Sequence, residues 1–139
     1  MSFIKYQPLE GFKPDIQNED CLVRAISRWR YSSLAPLDAW EQALYFTNNI
    51  CIETRVFPAN LDYAICEYFK QHGCVVREVE RRRTISSIAK SGRKPMFLIT
   101  KNHIVFCSEG HFYDSWDSGR HVVKKIIFLE DYFEEQIEK

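Results

Sequence analysis

The chain of 139 residues lacks several features that would assign it to a specialised class. Lys plus Arg equals Asp plus Glu at 19 each, so no overall field attracts nucleic acid or a membrane surface. No apolar run approaches the roughly 20 residues that a membrane-spanning helix needs. The N-terminus lacks the basic, apolar and small-residue succession of a secretion signal. We therefore expect a cytoplasmic protein without a membrane or nucleic-acid partner.

The cysteine content indicates neither a disulfide framework nor a metal centre. The sequence has five cysteines, and an odd number without a secretion signal favours reduced thiols. No Cys-x-x-Cys pair occurs, so a structural zinc site is not expected. Cys66, His72 and Cys74 are close in sequence, but three potential ligands alone are a weak indication. We expect no metal, no cofactor, and thiols that are mostly small core residues.

The absence of internal repeats, low-complexity segments and linkers predicts one domain over residues 1–139. Apolar periodicity predicts helices in the first half and mainly strands in the second. This order indicates an α+β fold with N-terminal helices packed on a C-terminal antiparallel sheet. Asn48-Asn49 is expected to end the second helix, which would bury Leu37 and Leu44. The predicted segments are an extended lead-in over 1–20, helices over about 21–29, 36–46 and 58–72, an extended piece over 50–57, a strand over 74–79, a short helix over 84–90, and strands over 95–100, 103–116 (a hairpin) and 121–129.

The stretch from His103 to Trp116 has the pattern of a β-hairpin. It is rich in β-forming residues, and Glu109-Gly110 supplies a tight turn. With the turn centred there, His103 lies opposite Trp116 and Val105 opposite Asp114. Because side chains alternate along a strand, these four residues share one face, and Asp114 lies diagonal to His103 within hydrogen-bonding reach. A histidine oriented by a carboxylate is two-thirds of a nucleophilic triad.

The pairing register of the hairpin decides which carboxylate His103 meets. A shift of one residue would place Asp117 beside His103 instead of Asp114. His111, near the turn, and His121 are alternative bases. We predict His103 as the base and Asp114 as its partner.

Cys21 is the candidate for the missing nucleophile. Residues 18–20 offer capping side chains for a helix that begins near Cys21. Cys21 is displaced from the buried stripe of this helix and sits at its electropositive start, which favours the thiolate form of a cysteine. The predicted stripe consists of Leu22, Ala25, Ile26 and Trp29.

Cys21, His103 and Asp114 together resemble the catalytic residues of the papain-like cysteine peptidase superfamily. There the order along the chain is Cys, His and then Asn or Asp, and the third member commonly occurs as Asn-Ser-Trp. Residues 114–116 are Asp-Ser-Trp, which matches with Asp in place of Asn. Residues 18–27 are similar to the nucleophile motif of the ovarian-tumour-type deubiquitinases. They are also similar to small phage and prophage proteins with an Asp-Cys-x-x-Arg-Ala start and a His…Asp-x-Trp-Asp end. The resemblance covers about residues 18–30 and 95–118.

The resemblance implies a papain-like fold and a cysteine peptidase or isopeptidase. Such an enzyme hydrolyses an amide bond of a protein or peptide through a thioacyl intermediate. In this superfamily a Trp shields the bond between the His and its partner from water, a role that falls to Trp116 here. Since the superfamily commonly has Asn as the third member, the resemblance also implies that Asp114→Asn is a milder substitution than Asp114→Ala.

The resemblance leaves the oxyanion donor open. Papain-like enzymes usually carry a Gln five or six residues before the Cys, where this chain has Ile16 and Asp15. Gln17 and Asn18 are the nearest amides, and either could donate to the oxyanion beside the backbone N–H of Cys21. The missing Gln keeps open a catalytically silent papain-fold binding or inhibitor protein of a mobile element. An acyl- or amidotransferase with the same triad, as in the arylamine acetyltransferases and transglutaminases, is the other alternative.

The basic stretch 77–94 and the single residue Arg24 also stand out. Residues 77–94 contain seven basic and two acidic side chains, which is typical of a solvated face. A site for an acidic protein partner or nucleic acid is the alternative. Arg24, one turn after Cys21, is expected to bond a buried carboxylate or backbone carbonyls, and a substrate carboxylate is the alternative.

Overall fold

The computed structural model describes residues 2–7, 20–55 and 61–133. Within these residues the chain forms four helices and one sheet of six strands, so the α+β prediction is confirmed. The elements in chain order are β1 (Phe3–Lys5), α1 (Asp20–Arg30), α2 (Pro36–Thr54), α3 (Leu61–Gln71), β2 (Val75–Glu78), α4 (Ile85–Ser91), β3 (Met96–Ile99), β4 (Ile104–Ser108), β5 (His111–Asp114) and β6 (Lys125–Phe128).

The strands lie in the order β1-β5-β4-β3-β6-β2. All described neighbours are antiparallel except β1, which runs parallel to β5 at one edge. The predicted purely antiparallel sheet is therefore wrong, because part of the expected lead-in adds a strand. Phe3–Lys5 is too short to carry an alternating pattern, and two of its three residues are exposed. Residue 1 and residues 8–19 of the lead-in lie outside the described residues, and Asp20 already belongs to α1.

Helices cover both faces of the sheet, and β3 is consequently buried along its whole length. Phe97 and Ile99 belong to a core shared with α1, α2 and α3. Met96 and Leu98 belong to a second core with α4. The prediction that N-terminal helices pack on the sheet is confirmed for α1 and α3, whereas α2 packs on those two helices and α4 covers the other face. A strand buried on both faces has a continuous apolar sequence, as Met96–Ile99 has.

α1 fixes Cys21 against the part of the sheet that carries the hairpin. The helix packs on β4 and β5. Its predicted apolar stripe is confirmed, since Leu22, Ala25 and Ile26 are at most 1% exposed. The Trp29 ring, at the end of the stripe, lies edge-on to Phe97 with 5.5 Å between ring centroids. Burial of these side chains sets both the position and the rotation of the helix that begins beside Cys21.

α2 is longer than the sequence predicted. It continues through Asn48-Asn49 to Thr54, so residues 50–54 are helical rather than extended. Phe46 and Ile50, one turn apart, carry the buried stripe past the two asparagines. The asparagines themselves are exposed, where Asn costs a helix less than about 0.7 kcal/mol relative to Ala. Tertiary packing therefore overrides the local breaker signal. The side chains wrongly predicted to be buried are Leu37 and Leu44.

The remaining elements follow the sequence-based predictions more closely. α3 ends before Gly73, whose φ of 89° is the left-handed conformation expected at a helix C-terminus. Its predicted start, residues 58–60, lies outside the described residues. Thr84 caps α4 by accepting a hydrogen bond of 3.1 Å from the Ser87 N–H. β6 is shorter than predicted, because Val122 forms only an isolated bridge with Thr84. None of the described helices is long and apolar enough to cross a membrane.

Candidate active site

The β4–β5 hairpin has the register that the sequence predicted. Ser108 pairs with His111, and Phe106 pairs with Tyr113. Glu109 and Gly110 form the turn with φ values of 54° and 87°, the doubly positive geometry that suits the twist of a hairpin. This register fixes which side chains beyond the paired residues can meet.

His103 meets Asp114 and not Asp117. The His103 Nε2 lies 2.5 Å from the Asp114 Oδ2. The Asp114 side chain is completely buried, and that of His103 is 12% exposed. Asp117 is exposed, and its Oδ1 accepts a hydrogen bond of 3.0 Å from the Gly119 N–H. The carboxylate predicted from the hairpin register is therefore the one that orients the imidazole.

Cys21 lies on the other side of the same imidazole. It occupies the first turn of α1, is half-buried, and forms a side-chain hydrogen bond with His103. Because Nε2 is bonded to Asp114, Nδ1 is the nitrogen left for the thiol. The start of α1, the residue before β4 and the last residue of β5 thus bring together the three residues that the sequence singled out.

The surroundings of His103 favour its protonated form. Burial lowers its pKa, but hydrogen bonds to Asp114 and Cys21 and the negative charges of both outweigh this effect. The net result raises the pKa of His103 from 6.5 to about 9. At neutral pH the site therefore holds an imidazolium between the buried carboxylate of Asp114 and the side chain of Cys21.

Trp116 packs on the imidazole, as its predicted shielding role requires. Its ring centroid lies 5.4 Å from that of His103. The indole also lies edge-on to the exposed His121 ring, with 5.2 Å between ring centroids, and Trp116 itself is 47% exposed. His111, the other alternative base, lies beside the turn, at the far end of the hairpin from His103.

Further donors surround Asp114, and one of the side-chain donors was not predicted. The Arg24 Nη1 lies 3.4 Å from the Asp114 Oδ1, which confirms that Arg24 bonds a buried carboxylate. The unpredicted donor is Ser118, whose hydroxyl lies 2.6 Å from the Asp114 Oδ2. Its position depends on the turn after β5, whose shape the sequence pattern does not define. The Ser115 backbone N–H completes the set, at 2.7 Å from Oδ1.

The other predicted features lie outside this site or outside the described residues. Gln17 and Asn18, the candidate oxyanion donors, are outside the described residues. The basic stretch 77–94 is mostly exposed, as expected of a solvated face. Within it, Lys94 pairs with Glu130 at 3.0 Å, and the Arg77 guanidinium lies over the Phe128 ring.

We predict that nuclear magnetic resonance will show the His103 imidazole titrating near pH 9. In Asp114→Ala the midpoint should fall towards the ordinary value of about 6.5, because the partner that favours the charged ring is gone. Since the folded-state pKa of His103 is the higher one, its protonation stabilises the fold fully below about pH 6.5. That contribution is lost as the pH rises through about 9. A wild-type midpoint at or below the ordinary value would contradict the described geometry.

The chemistry of the site follows from its own side chains, because comparisons with other proteins add nothing to it. Among the described residues, no group of three or more His, Cys, Asp or Glu is placed to hold a metal ion. No family model matches the chain, and comparisons with curated proteins and with solved structures give no match either.

Proposed function

We propose that the chain is a papain-like cysteine peptidase or isopeptidase that hydrolyses an amide bond of a protein or peptide. The supporting observation is the hydrogen-bonded series from the Cys21 thiol through His103 to the buried Asp114. A structural histidine needs hydrogen-bond partners, but it does not need a helix-start cysteine on one side and a buried carboxylate on the other. Nucleophilic catalysis needs both. A helix-borne Cys packed against a sheet-borne His and Asp also supports a papain-like fold.

In the first half of the proposed reaction, Cys21 attacks the substrate carbonyl. The thiolate sulfur bonds to the carbonyl carbon, and the negative charge moves to the oxygen. The backbone N–H of Cys21, with an amide from Gln17 or Asn18, stabilises that oxyanion. The carbon–nitrogen bond then breaks as the His103 imidazolium gives its proton to the leaving amine. A thioester on Cys21 and a neutral His103 remain.

In the second half, water releases the acyl group. Neutral His103 accepts a proton from water, and the water oxygen bonds to the thioester carbon. The carbon–sulfur bond breaks, the carboxylic acid leaves, and the thiolate–imidazolium pair of Cys21 and His103 is restored. Asp114 keeps the proton of the neutral imidazole on Nε2 throughout, so that Nδ1 faces the reacting atoms.

The proposal is tested with electrophilic peptides and peptide amides. The purified protein is incubated with a panel of peptide vinyl sulfones, and the modified residue is located by mass spectrometry. Hydrolysis is followed on a mixture of peptide amides and lysine-branched isopeptides. Cys51→Ala is the matched control for Cys21→Ala, because Cys51 is also a half-buried helical thiol.

The proposal predicts modification at Cys21 and turnover by the wild type and by Cys51→Ala, but not by Cys21→Ala. If added amines capture the acyl group faster than water does, the enzyme is a transferase with the same triad. Absence of Cys21 modification across the panel would overturn the enzymatic proposal in favour of a binding protein.

A further inference from the structure

Both carboxylate oxygens of Asp114 accept hydrogen bonds. Oδ1 faces the Ser115 N–H at 2.7 Å and the Arg24 guanidinium at 3.4 Å. Oδ2 faces the His103 ring at 2.5 Å and the Ser118 hydroxyl at 2.6 Å. The Asp114 and Ser118 residues are both 0% exposed, so solvent does not compete with these donors. A carboxylate can accept hydrogen bonds at both of its terminal atoms. The amide of asparagine cannot, because one of its two terminal atoms is an NH₂ group that donates.

The charge of Arg24 does not change during the proposed reaction, whereas that of His103 does. While His103 is protonated, it offsets the negative charge of Asp114. After His103 has given its proton to the leaving amine, a buried carboxylate would remain with a neutral imidazole. A buried anion without a counter-charge is strongly unfavourable. Arg24 is 5% exposed and cannot deprotonate, so it supplies that counter-charge at every step.

The position of Arg24 is itself fixed by its neighbours. Its Nε donates to the Gln7 Oε1 at 3.0 Å, and Arg24 is a buried residue of α1. β1 leads directly to Gln7 and is paired with the strand that ends at Asp114. Arg24 is therefore held between the N-terminal edge strand and Asp114. This arrangement favours a bond from Arg24 to Asp114 over one to a substrate carboxylate.

From this geometry we propose that Arg24 and Ser118 are positioning residues that make the site specific for a carboxylate at position 114. The proposal rests on the proposed function and deepens it. It predicts that asparagine, the residue common in papain-like enzymes, fails here. The family resemblance implies the opposite, an effect milder than that of Asp114→Ala.

An asparagine at position 114 would conflict with its donors in either orientation of its amide. With the amide oxygen towards His103, the NH₂ group would face the Ser115 N–H and the Arg24 guanidinium. With the amide reversed, the NH₂ group would face the His103 Nε2, which would have to become an acceptor. The imidazole proton would then sit on Nδ1, and a neutral His103 could no longer accept a proton from the reacting groups.

The test measures the rate at which Cys21 reacts with iodoacetamide at pH 6, with Cys51 as the internal reference. We expect Asp114→Asn to slow Cys21 by at least about tenfold, close to the effect of Asp114→Ala. Arg24→Met and Ser118→Ala should each slow it by about threefold to tenfold, with partial recovery in Arg24→Lys. If Arg24→Met does not fold, Arg24→Lys and Ser118→Ala provide the same comparison on folded protein.

Two readouts separate positioning from a merely structural role. The loss in Arg24→Met or Ser118→Ala should largely disappear in an Asp114→Ala background, because the group that it positions is gone. The charged groups facing Asp114 are Arg24 and His103, with Cys21 beyond the imidazole. The second readout is the His103 titration. Without the Arg24 cation, the negative charge of Asp114 acts on the imidazolium alone, so the His103 midpoint should move to higher pH in Arg24→Met, whereas a disrupted site would lower it.

Failure of this inference is distinguishable from failure of the proposed function. If wild-type Cys21 reacts no faster than Cys51, the proposed function fails. The His103 titration then still judges the inference, since Asp114→Asn should lower the midpoint from about 9 as Asp114→Ala does. The inference is overturned if Asp114→Asn keeps the wild-type rate or titration. It is also overturned if Arg24→Met is equally costly with and without Asp114.

Discussion

Replacing His103 by alanine is expected to slow the alkylation of Cys21 at pH 6 by about 100-fold. An ordinary thiol with a pKa near 8.5 is only about 0.3% ionised at that pH. A cysteine paired with an imidazolium is largely ionised at that pH. Part of the resulting gain in alkylation rate is offset, because a stabilised thiolate is intrinsically less nucleophilic. His103 carries a proton at pH 6, since hydrogen bonds to Asp114 and Cys21 outweigh burial and raise its pKa to about 9. Mass spectrometry of each alkylated peptide against time gives the rates.

The other cysteines provide the controls for His103→Ala. Burial raises the pKa of Cys107 to about 12, and burial together with the charge of Asp131 raises that of Cys74 to about 11. Burial also raises the pKa of Cys66. These thiols should react slowly, and the rate at Cys51 should not change with the substitution. Equal rates at Cys21 and Cys51 in the wild type, or an unchanged Cys21 rate in His103→Ala, would count against the thiolate–imidazolium pair.

Removing the Asp114 carboxylate is expected to have the second large effect. In Asp114→Ala the imidazole loses the partner of its Nε2 and becomes free to rotate, so the Cys21 rate should fall by about 10- to 100-fold. The matched control is Asp117→Ala, three residues along the chain. Asp117 is exposed and accepts only a local turn hydrogen bond among its described contacts, so its loss should change the rate by less than about twofold.

Stopped alkylation at a series of times gives both rates on the same scale. A large effect of Asp117→Ala together with a small effect of Asp114→Ala would place the hairpin register one residue away from the one described. Thermal unfolding of both variants shows whether a lost rate reflects a lost fold.

The core of the site could be predicted because strand geometry is simple. Once Glu109-Gly110 is taken as the turn, the alternation of side chains along each strand determines that His103 and Asp114 share a face. Cys21 could be singled out because it sits next to capping residues and outside the apolar stripe of its helix. These inferences require only local sequence patterns and one short-range pairing.

The missed features depend on contacts that are distant in sequence. β1 forms because residues 3–5 pair with β5, which is more than 100 residues away in the sequence. α2 continues past Asn48-Asn49 because Ile50 finds a place in the core. Ser118 reaches Asp114 because the chain turns back after β5. Neither residue pattern nor propensity contains the information about those partners.

The most direct test of the central claim is the ultraviolet absorbance of the Cys21 thiolate as a function of pH. The signal is the difference between wild type and Cys21→Ser, which isolates this cysteine from the other four. A thiolate signal already present at pH 6, and absent at that pH in His103→Ala, is the predicted result. A Cys21 signal that develops only in the range of an ordinary thiol, with or without His103, would contradict the proposed catalytic pair.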